Sequence, residues 1–241
     1  MAELALAGKR VVVTRPRGTA ERLVSELERL GAEVTVVPLI DVHPAAAATL
    51  DAVSRGDYDW IVFTSANGVR FVGDRLQRID EARFAAVGPA TAEALRELAI
   101  EPSFVPDRFT ADAIADGLGD VASLHVLLPQ ADIADPALAE ELRSRGATVE
   151  VVVVYRTIEI EPGAAGSGAL RSADAVLLAS GSAARSLASL GIPLERVAIT
   201  CIGRSTALEA EQAGLEVRLV ADEATGEGMI RALVSHFGGS G

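Results

Sequence analysis

Five short segments of the 241-residue chain combine small residues with hydroxyl, amide or guanidinium groups, and each follows an apolar run. Backbone N–H groups at a helix start favour a negative group by about 0.3–1 kcal/mol, and by up to about 2 kcal/mol when partly buried. We therefore predict a ligand with several carboxylates or phosphates, although any single hydroxyl here also suits an ordinary helix cap. The segments are Thr14-Arg15-Pro16-Arg17-Gly18-Thr19, Thr64-Ser65-Ala66-Asn67-Gly68, Gly88-Pro89-Ala90-Thr91, Ser180-Gly181-Ser182 and Gly203-Arg204-Ser205-Thr206.

Other reactive side chains lack a catalytic or metal-binding spacing. Cys201 lies inside an apolar run, which indicates an inert buried thiol rather than a nucleophile. His43, His125 and His236 are scattered, which favours structural roles. The sequence has no phosphate-binding loop and no dinucleotide turn, so ATP and NAD are disfavoured. A Ser-His-Asp triad stays open, without a Gly-x-Ser-x-Gly turn to support it. We expect no metal and no cofactor.

Tyr155 follows four consecutive valines, where the chain is expected to pass between two domains. A phenol with a pKa of about 10 stays protonated at neutral pH, and it can give a proton or a hydrogen bond to a leaving hydroxyl group. The residue types allow this catalytic role and simple packing in the connecting segment equally well.

Ten short apolar runs alternate with helical patterns such as 19–30, where Leu23, Leu27 and Leu30 share one face. Runs of this length predict strands that are buried on both faces of a parallel sheet. Strands alternating with helices indicate an α/β fold with doubly wound parallel sheets. The predicted strands are Arg10–Val13, Glu33–Val37, Trp60–Phe63, Phe84–Val87, Ser103–Val105, Leu124–Leu128, Val149–Val154, Ala175–Leu178, Val197–Ile202 and Val217–Val220.

A weak internal repeat divides these strands between two domains. Ten residues between Asp59 and Thr110 are identical to residues 115 positions later, between Asp174 and Thr225. We predict a discontinuous α/β domain of residues 1–38 plus 158–241 and an inserted α/β domain of residues 42–153. Two hinge segments near residues 37–41 and 154–157 would join them.

The charge balance limits the partners. The chain has 22 Lys and Arg residues against 34 Asp and Glu residues, a net charge of −12. This disfavours nucleic acid, whose binding requires clustered cations. The sequence shows no signal peptide and no apolar window of about 18 residues, so we expect a cytoplasmic protein without a membrane partner. No exposed apolar stripe is evident, which favours a monomer.

Eight motifs cover nearly the whole chain, and their order and spacing are more specific than any one of them. They are Val12-Val-Thr-Arg-Pro16, Leu30-Gly-Ala-Glu-Val34, Pro38-Leu-Ile40, Trp60-Ile-Val-Phe-Thr-Ser-Ala-Asn-Gly-Val69, Ala86-Val-Gly-Pro-Ala-Thr-Ala-Glu-Ala-Leu95, Val126-Leu-Leu-Pro129, Val154-Tyr-Arg-Thr157 and Cys201-Ile-Gly203 with Thr206. Taken together, they resemble the uroporphyrinogen-III synthase family.

The resemblance implies two flavodoxin-like α/β domains joined by a two-segment connector, with the active site in the cleft between them. It implies cofactor-free closure of linear hydroxymethylbilane to uroporphyrinogen III in heme biosynthesis, with inversion of the last pyrrole ring. The expected route is loss of the terminal hydroxyl group to an azafulvene, attack to a spiro intermediate, then cleavage and reclosure. This tetrapyrrole carries eight carboxylates, which fits the anion-binding segments above.

The resemblance also implies roles for individual residues. Tyr155 matches the family tyrosine proposed to assist departure of the hydroxyl group. Ser65, Thr91, Ser180 and Thr206 match hydroxyl positions that line the cleft. The other residues that we expect at the substrate are Thr14, Arg15, Thr64, Asn67, Gly68, Gly88, Gly181, Ser182 and Arg204.

Some positions depart from the family pattern. Gln130 stands where an arginine is frequent, Ala179 stands in place of a threonine, and Arg204 stands where a proline is frequent. Individual carboxylate contacts are therefore open. The net charge repels a polyanion, and screening confines this repulsion to about 8 Å at physiological salt. Local cations must therefore dominate at the site, and Lys9 is the only lysine. Our hypothesis is that these cations include Arg15, Arg17, Arg70, Arg156, Arg185 and Arg204.

Two other functions are compatible with this sequence. One is a non-catalytic two-domain binder of a small polyanionic ligand that closes by hinge motion, as periplasmic binding proteins do. The other is a sugar transferase with two facing α/β domains. The missing signal peptide counts against the first, and the missing nucleotide site counts against the second.

Overall fold

The computed structural model describes residues 4–79, 81–108 and 110–238, apart from the side chain of Arg17. The chain divides into two compact units. Unit 1 consists of Met1–Asp41 and Ile158–Gly241, and unit 2 consists of Val42–Thr157. None of the helices formed by the described residues has the length and apolar character that crossing a membrane requires.

Strands and helices alternate along both units. The strands are β1 (Arg10–Val13), β2 (Glu33–Val36), β3 (Ile40–Pro44), β4 (Trp60–Phe63), β5 (Arg83–Ala86), β6 (His125–Ala131), β7 (Thr148–Glu159), β8 (Ala175–Leu178), β9 (Ala198–Cys201) and β10 (Val217–Val220). The helices are α1 (Arg17–Arg29), α2 (Ala47–Ala52), α3 (Ala66–Val72), α4 (Pro89–Glu97), α5 (Ala111–Leu118), α6 (Ala137–Ser144), α7 (Gly163–Ser172), α8 (Gly181–Ser189), α9 (Arg204–Gln212) and α10 (Gly226–Gly238), with a 3₁₀ helix at Gly73–Arg78.

Unit 1 contains a five-stranded parallel sheet in the order β10-β9-β8-β1-β2. Counted along this unit alone, the order is 2-1-3-4-5, which is that of a flavodoxin-like doubly wound sheet. Because successive strand residues face opposite sides, Val12 packs under α7, α8 and α9, while Val11 and Val13 pack under α1 and α10. The predicted α/β fold class is confirmed.

Unit 2 contains a five-stranded sheet in the order β3-β7-β6-β4-β5. Four of its strands are parallel neighbours. The edge strand β3 differs: the Ala45 N–H donates to the Val154 carbonyl, and the Ile160 N–H donates to the Leu39 carbonyl, each at 2.9 Å. Residue numbers rise along one strand as they fall along the other, so β3 runs antiparallel to β7. The expectation of parallel strands throughout was therefore wrong at this edge.

The 115-residue repeat extends well beyond the matched identities. Adding 115 to the first residue of β1, β4, α3, β5, α4 and α5 gives the first residue of β6, β8, α8, β9, α9 and α10 in turn. Unit 1 therefore joins the start of the first copy to the end of the second copy, and unit 2 joins the remaining two parts. Equivalent positions in the two units can be compared residue by residue.

The prediction of a strand at Ser103–Val105 was wrong. This segment makes an isolated parallel bridge between Phe104 and Ala85, whereas its repeat equivalent is the full strand β10. Pro102 and Pro106 flank the segment. Proline fixes φ and is depleted in strands, so the two prolines limit the length of the extended segment.

The segments expected to act as hinges lie partly in strands. β3 begins at Ile40, and β7 continues from the valine run through Tyr155 to Glu159. Ile40, Val154, Tyr155 and Thr157 are β-branched or aromatic, which favours the extended conformation. Hinge motion and the independence of the two domains stay predictions.

Candidate active site

The end of β4 places Ser65 at the start of α3. Ser65 is the N-cap of this helix, and its Oγ accepts a hydrogen bond from the Asn67 N–H at 3.1 Å. Serine suits this position because its side-chain oxygen satisfies a backbone donor that the helix leaves free. Thr64, one residue earlier, is exposed at the same strand end. Parallel strands expose such groups at their carboxyl ends, where α/β proteins bind ligands.

Tyr155 meets Ser65 at this point. The Tyr155 side chain is 6% exposed, and its hydroxyl group donates to Ser65 Oγ at 3.1 Å. Its ring contacts Phe71 of α3, with ring centroids 5.5 Å apart. Two residues that are 90 positions apart, and that the sequence singled out separately, therefore form one hydrogen-bonded pair.

Burial raises the pKa of the Tyr155 phenol, and the negative charge of Asp132 raises it further, whereas the hydrogen bond to Ser65 lowers it. Desolvation is the largest of these effects, so the phenol is protonated throughout the neutral range. Asp132 is exposed and follows β6, and its Oδ1 accepts from the Thr157 N–H at 3.0 Å. We had not predicted Asp132, although the same strand-end rule could have found it.

Two other predicted residues of unit 2 have partners inside the protein. The buried Thr91 hydroxyl donates to the Val87 carbonyl at 3.3 Å. A Cβ on Gly68 would lie 3.2 Å from the Pro129 carbonyl oxygen, so glycine serves close helix-to-strand packing here. Gly88 has φ of +98°, a conformation that favours glycine in the turn before α4. These contacts favour the structural alternative for Thr91 and Gly68.

In unit 1, α8 begins in the same way. Ser180 is its N-cap, and Ser180 Oγ accepts from the Ala183 N–H at 3.2 Å. Ser180 Oγ also lies 3.1 Å from Ser182 Oγ, so these two hydroxyl groups share a hydrogen bond. Gly181 is the first residue of the helix and is buried.

A carboxylate of the protein itself occupies the start of α8. The Glu209 carboxylate lies so close to Gly181 that an added Cβ would overlap it, and it pairs with the Arg185 guanidinium. Arg185 therefore has an internal counterion, which argues against its predicted role as a cation for a ligand. Sequence reasoning missed Glu209, because it lies 24 residues from Arg185 and carries no motif.

The remaining hydroxyls of unit 1 are less accessible than expected. Thr14 is buried, and its hydroxyl donates to the Leu177 carbonyl at 2.7 Å, which ties β1 to β8. Thr206 is buried in α9, while Arg204 is exposed at the first residue of that helix. Arg15 is half-buried after β1, and the side chain of Arg17 is outside the described residues.

The other predicted groups lie apart from the Tyr155 pair. Arg156 is exposed and lines an open groove with Pro44, Ala48 and Val151. Cys201 is fully buried in β9, and burial raises its pKa to about 12, as the prediction of an inert thiol requires. Among the described residues, no three His, Cys, Asp or Glu side chains come together as a metal site would need.

Comparison with known proteins decides the family. The family model for "Uroporphyrinogen-III synthase HemD" matches residues 21–231. The chain belongs to the uroporphyrinogen-III synthase family. The resemblance recognised from the motifs is thus confirmed.

Individual relatives agree with this family. The chain is 29% identical to the "Porphyrin biosynthesis protein HemD" of Ruminiclostridium josui, over 98% of this chain and 50% of that protein. It is 31% identical to the chloroplastic uroporphyrinogen-III synthase of Oryza sativa, over 86% of this chain and 73% of the relative. The chain thus spans about half the length of the R. josui protein.

Solved structures of the family share the fold. A mutant uroporphyrinogen III synthase from Thermus thermophilus superimposes with a TM-score of 0.70 at 20% identity. The match covers 93% of this chain and 96% of that one. At this level of identity the likeness shows the α/β fold alone and not the roles of single residues.

Proposed function

We propose that this protein is a uroporphyrinogen-III synthase that converts hydroxymethylbilane to uroporphyrinogen III and water, with inversion of the last pyrrole ring. The observation that carries this proposal is the Tyr155–Ser65 pair at the end of β4, in a chain of this family. The reaction begins with departure of a poor leaving group, hydroxide. A buried phenol that stays protonated supports proton delivery to that group.

The rest of the proposed reaction is a problem of orientation. Once the hydroxyl group has left, the terminal carbon is electrophilic, and the substituted α-carbon of the last pyrrole attacks it to give the spiro intermediate. Cleavage and reclosure then turn the ring over. Holding a flexible tetrapyrrole in the reactive geometry lowers the activation free energy, because the entropy of orientation is lost on binding rather than in the transition state. In favourable cases this effect is on the order of 7–11 kcal/mol. Substrate and product differ by one water, so the step requires no oxidant or reductant.

We propose that the substrate carboxylates bind at the strand ends of both units. In unit 2 the accessible groups are Thr64, Ser65, Asn67 and the exposed cation Arg70, and in unit 1 they are Ser180, Ser182 and Arg204. Arg15, Gly88, Gly181 and Thr206 stay predicted contacts. The internal hydrogen bonds of Thr14 and Thr91 support positioning roles for these two residues instead.

The decisive test is the isomer of the product. Purified protein is incubated with freshly made hydroxymethylbilane, the products are oxidised, and type I and type III porphyrins are separated by chromatography. We expect mainly type III. A sample that gives the spontaneous type I isomer at the rate of a protein-free control would reject the proposed activity, and binding without turnover would support the non-catalytic alternative.

We also propose that the protein acts in the cytoplasm as a monomer, without nucleic acid or membrane partners. The net charge of −12 supports the absence of a nucleic-acid role. Light scattering after size exclusion tests the monomer: a mass near 25.0 kDa is expected, and twice that mass would contradict it.

A further inference from the structure

The hydrogen bonds around Ser65 define the direction in which a proton can move. Ser65 Oγ accepts from the Tyr155 hydroxyl and from the Asn67 N–H, each at 3.1 Å. A hydroxyl oxygen has two acceptor sites and one hydrogen to donate. Both acceptor sites are filled, and none of the described residues accepts the Ser65 hydrogen. That hydrogen is therefore the one still available to a ligand.

The Tyr155 hydroxyl group, in contrast, has no hydrogen left for a ligand. Its single hydroxyl hydrogen is already donated to Ser65. To give that hydrogen directly to a substrate, Tyr155 would have to break this bond while remaining buried against Phe71. Ser65 is only half-buried, so it is the more accessible member of the pair.

We infer that Ser65 hands the proton to the leaving hydroxyl group and that Tyr155 replaces it, so that the two residues form a relay. This inference rests on the proposed function and adds a catalytic residue to it. Tyr155 then acts as the proton source behind Ser65.

The proton that the relay gives to the leaving group is recovered later in the same reaction. As the bond from carbon to oxygen breaks, its electron pair stays on oxygen, and that oxygen takes the Ser65 proton and leaves as water. Ser65 takes the Tyr155 proton in the same step, so that no serine alkoxide accumulates and a tyrosinate results. The pyrrole α-carbon that forms the final ring bond loses its hydrogen as a proton, which restores Tyr155. One water is released, and no net proton is consumed.

The contacts of Ser65 suit this transfer. Hydrogen bonds in a chain polarise one another, so a hydroxyl that accepts two of them is a stronger donor than an isolated one. The Asn67 N–H keeps its bond to Ser65 Oγ during the transfer and stabilises negative charge that develops there. Burial also makes the tyrosinate short-lived, because its high pKa favours rapid return of the proton.

Unit 1 contains the same serine without the relay. The residue 115 positions before Tyr155 is Ile40, which has no proton to give, and the equivalent of Ser65 is Ser180. The Ser180 hydroxyl shares its hydrogen bond with Ser182 instead. The duplicated fold therefore provides two capped helices but one tyrosine-backed serine.

The test compares kcat for Ser65→Ala, Tyr155→Phe and the double variant. Acid catalysis of this kind contributes about 10²–10⁴-fold, so we expect kcat to fall at least about 100-fold in each single variant. Because the two groups deliver one proton, their effects should not multiply, and kcat of the double variant should lie within about threefold of that of the slower single variant. Ser65→Thr keeps the hydroxyl and the helix cap, and it should restore most of the rate.

A matched control separates chemistry from folding. Thr110 caps α5 in the same unit through the Ala113 N–H and has no proposed role at the substrate. Thr110→Ala removes a helix cap as Ser65→Ala does, so thermal stability should fall in both while kcat falls in Ser65→Ala alone. If Ser65→Ala keeps a third or more of kcat while Tyr155→Phe loses it, Tyr155 donates directly and the relay is wrong. A wild-type protein without type III product would instead reject the proposed function.

Discussion

Helix α3 of unit 2 and helix α8 of unit 1 start at equivalent positions and have different electrostatic surroundings. Both follow a buried strand, both are capped by serine, and both carry an arginine on their second turn. In unit 1, Arg185 pairs with Glu209, whose carboxylate lies against the first residue of the helix. In unit 2, the position of Glu209 is the buried Ala94.

Because Ala94 stands at the position of Glu209, Arg70 of unit 2 lacks the internal counterion that Arg185 has. Arg70 is exposed, and no carboxylate of the described chain lies within ion-pair distance of it. The pair in unit 1 demonstrates that an arginine at this helix position reaches a carboxylate placed near the helix start. A duplicated scaffold thus carries one arginine neutralised from within and one able to pair with a ligand carboxylate.

The largest effects that we predict are on stability, and they test whether the two units are energetically separate. Phe63→Ala in unit 2 and Leu178→Ala in unit 1 change equivalent, fully buried positions. Truncations of this kind cost about 3–5 kcal/mol for Phe and about 2–5 kcal/mol for Leu. Because the two side chains belong to different core clusters, hydrogen exchange should accelerate in β4 amides for the first variant and in β8 amides for the second.

An exposed residue provides the control for this pair. Leu208 on α9 is 56% exposed, so Leu208→Ala should change the free energy of unfolding by less than about 0.5 kcal/mol. Faster exchange in both sheets for either core variant would contradict the separation of the two cores and would make the units one folding unit.

The next effect distinguishes the two arginines. A hydrogen bond to a charged group contributes about 1.5–3 kcal/mol, so Arg70→Gln should raise KM about tenfold or more while kcat changes little. Arg185→Gln removes a charge that Glu209 already neutralises, and KM should stay within about twofold. Steady-state kinetics with hydroxymethylbilane measures both. Equal increases in KM for the two variants would mean that Glu209 releases Arg185 when substrate binds.

A smaller effect is expected where Glu209 approaches the helix start. Gly181→Ala gives unit 1 the residue that unit 2 has at the equivalent position, Ala66. The new methyl group overlaps the Glu209 carboxylate. Glu209 is the end of a flexible, partly exposed side chain, so it moves away, and the lost ion pair costs at most about 1 kcal/mol. Alanine is also the better helix former by about 0.5–1 kcal/mol, so the two effects nearly cancel and thermal unfolding should show little change in Tm.

Gly168→Ala in α7 is the matched control for this glycine. It introduces a methyl group with no neighbour within 4 Å in a helix, so it should raise stability by about 0.5–1 kcal/mol. A Gly181→Ala protein as stable as this control would mean that the Glu209 contact contributes nothing.

The fold could be predicted from sequence because its signals are local. Apolar runs, helical spacing and the repeat identified nine of the ten strands that the structure contains among its described residues. The failures have local causes as well: Pro102 and Pro106 flank and shorten the extended segment around Phe104, and β3 begins in a segment expected to be a hinge.

The site was predictable in part. Tyr155 and Ser65 stood out by residue type and place, but their contact across 90 residues depends on how β7 and β4 lie in one sheet. The sequence could not tell a hydroxyl that faces a ligand from one that faces the backbone, and Thr14 illustrates this with its bond to the Leu177 carbonyl. Glu209 was missed for the same reason, because pairing with Arg185 is a property of two packed helices.

The smallest predicted effect concerns how kcat depends on pH in the alkaline range. Tyr155 of unit 2 is the group expected to titrate there, because the equivalent residue of unit 1 is Ile40, which does not titrate. The relay requires the protonated phenol, and the pKa of Tyr155 is raised, so the active form persists to higher pH than for an exposed tyrosine of pKa about 10. The rate should therefore stay constant across the neutral range and fall only above the pH at which an exposed tyrosine titrates. Asp132→Asn removes a negative charge that raises this pKa, while an amide oxygen can still accept from the Thr157 N–H. The decline should therefore begin at lower pH in that variant, and the change should be small because Asp132 is exposed and screened. A wild-type decline centred below pH 9 would assign the titrating group elsewhere and remove Tyr155 as the proton source.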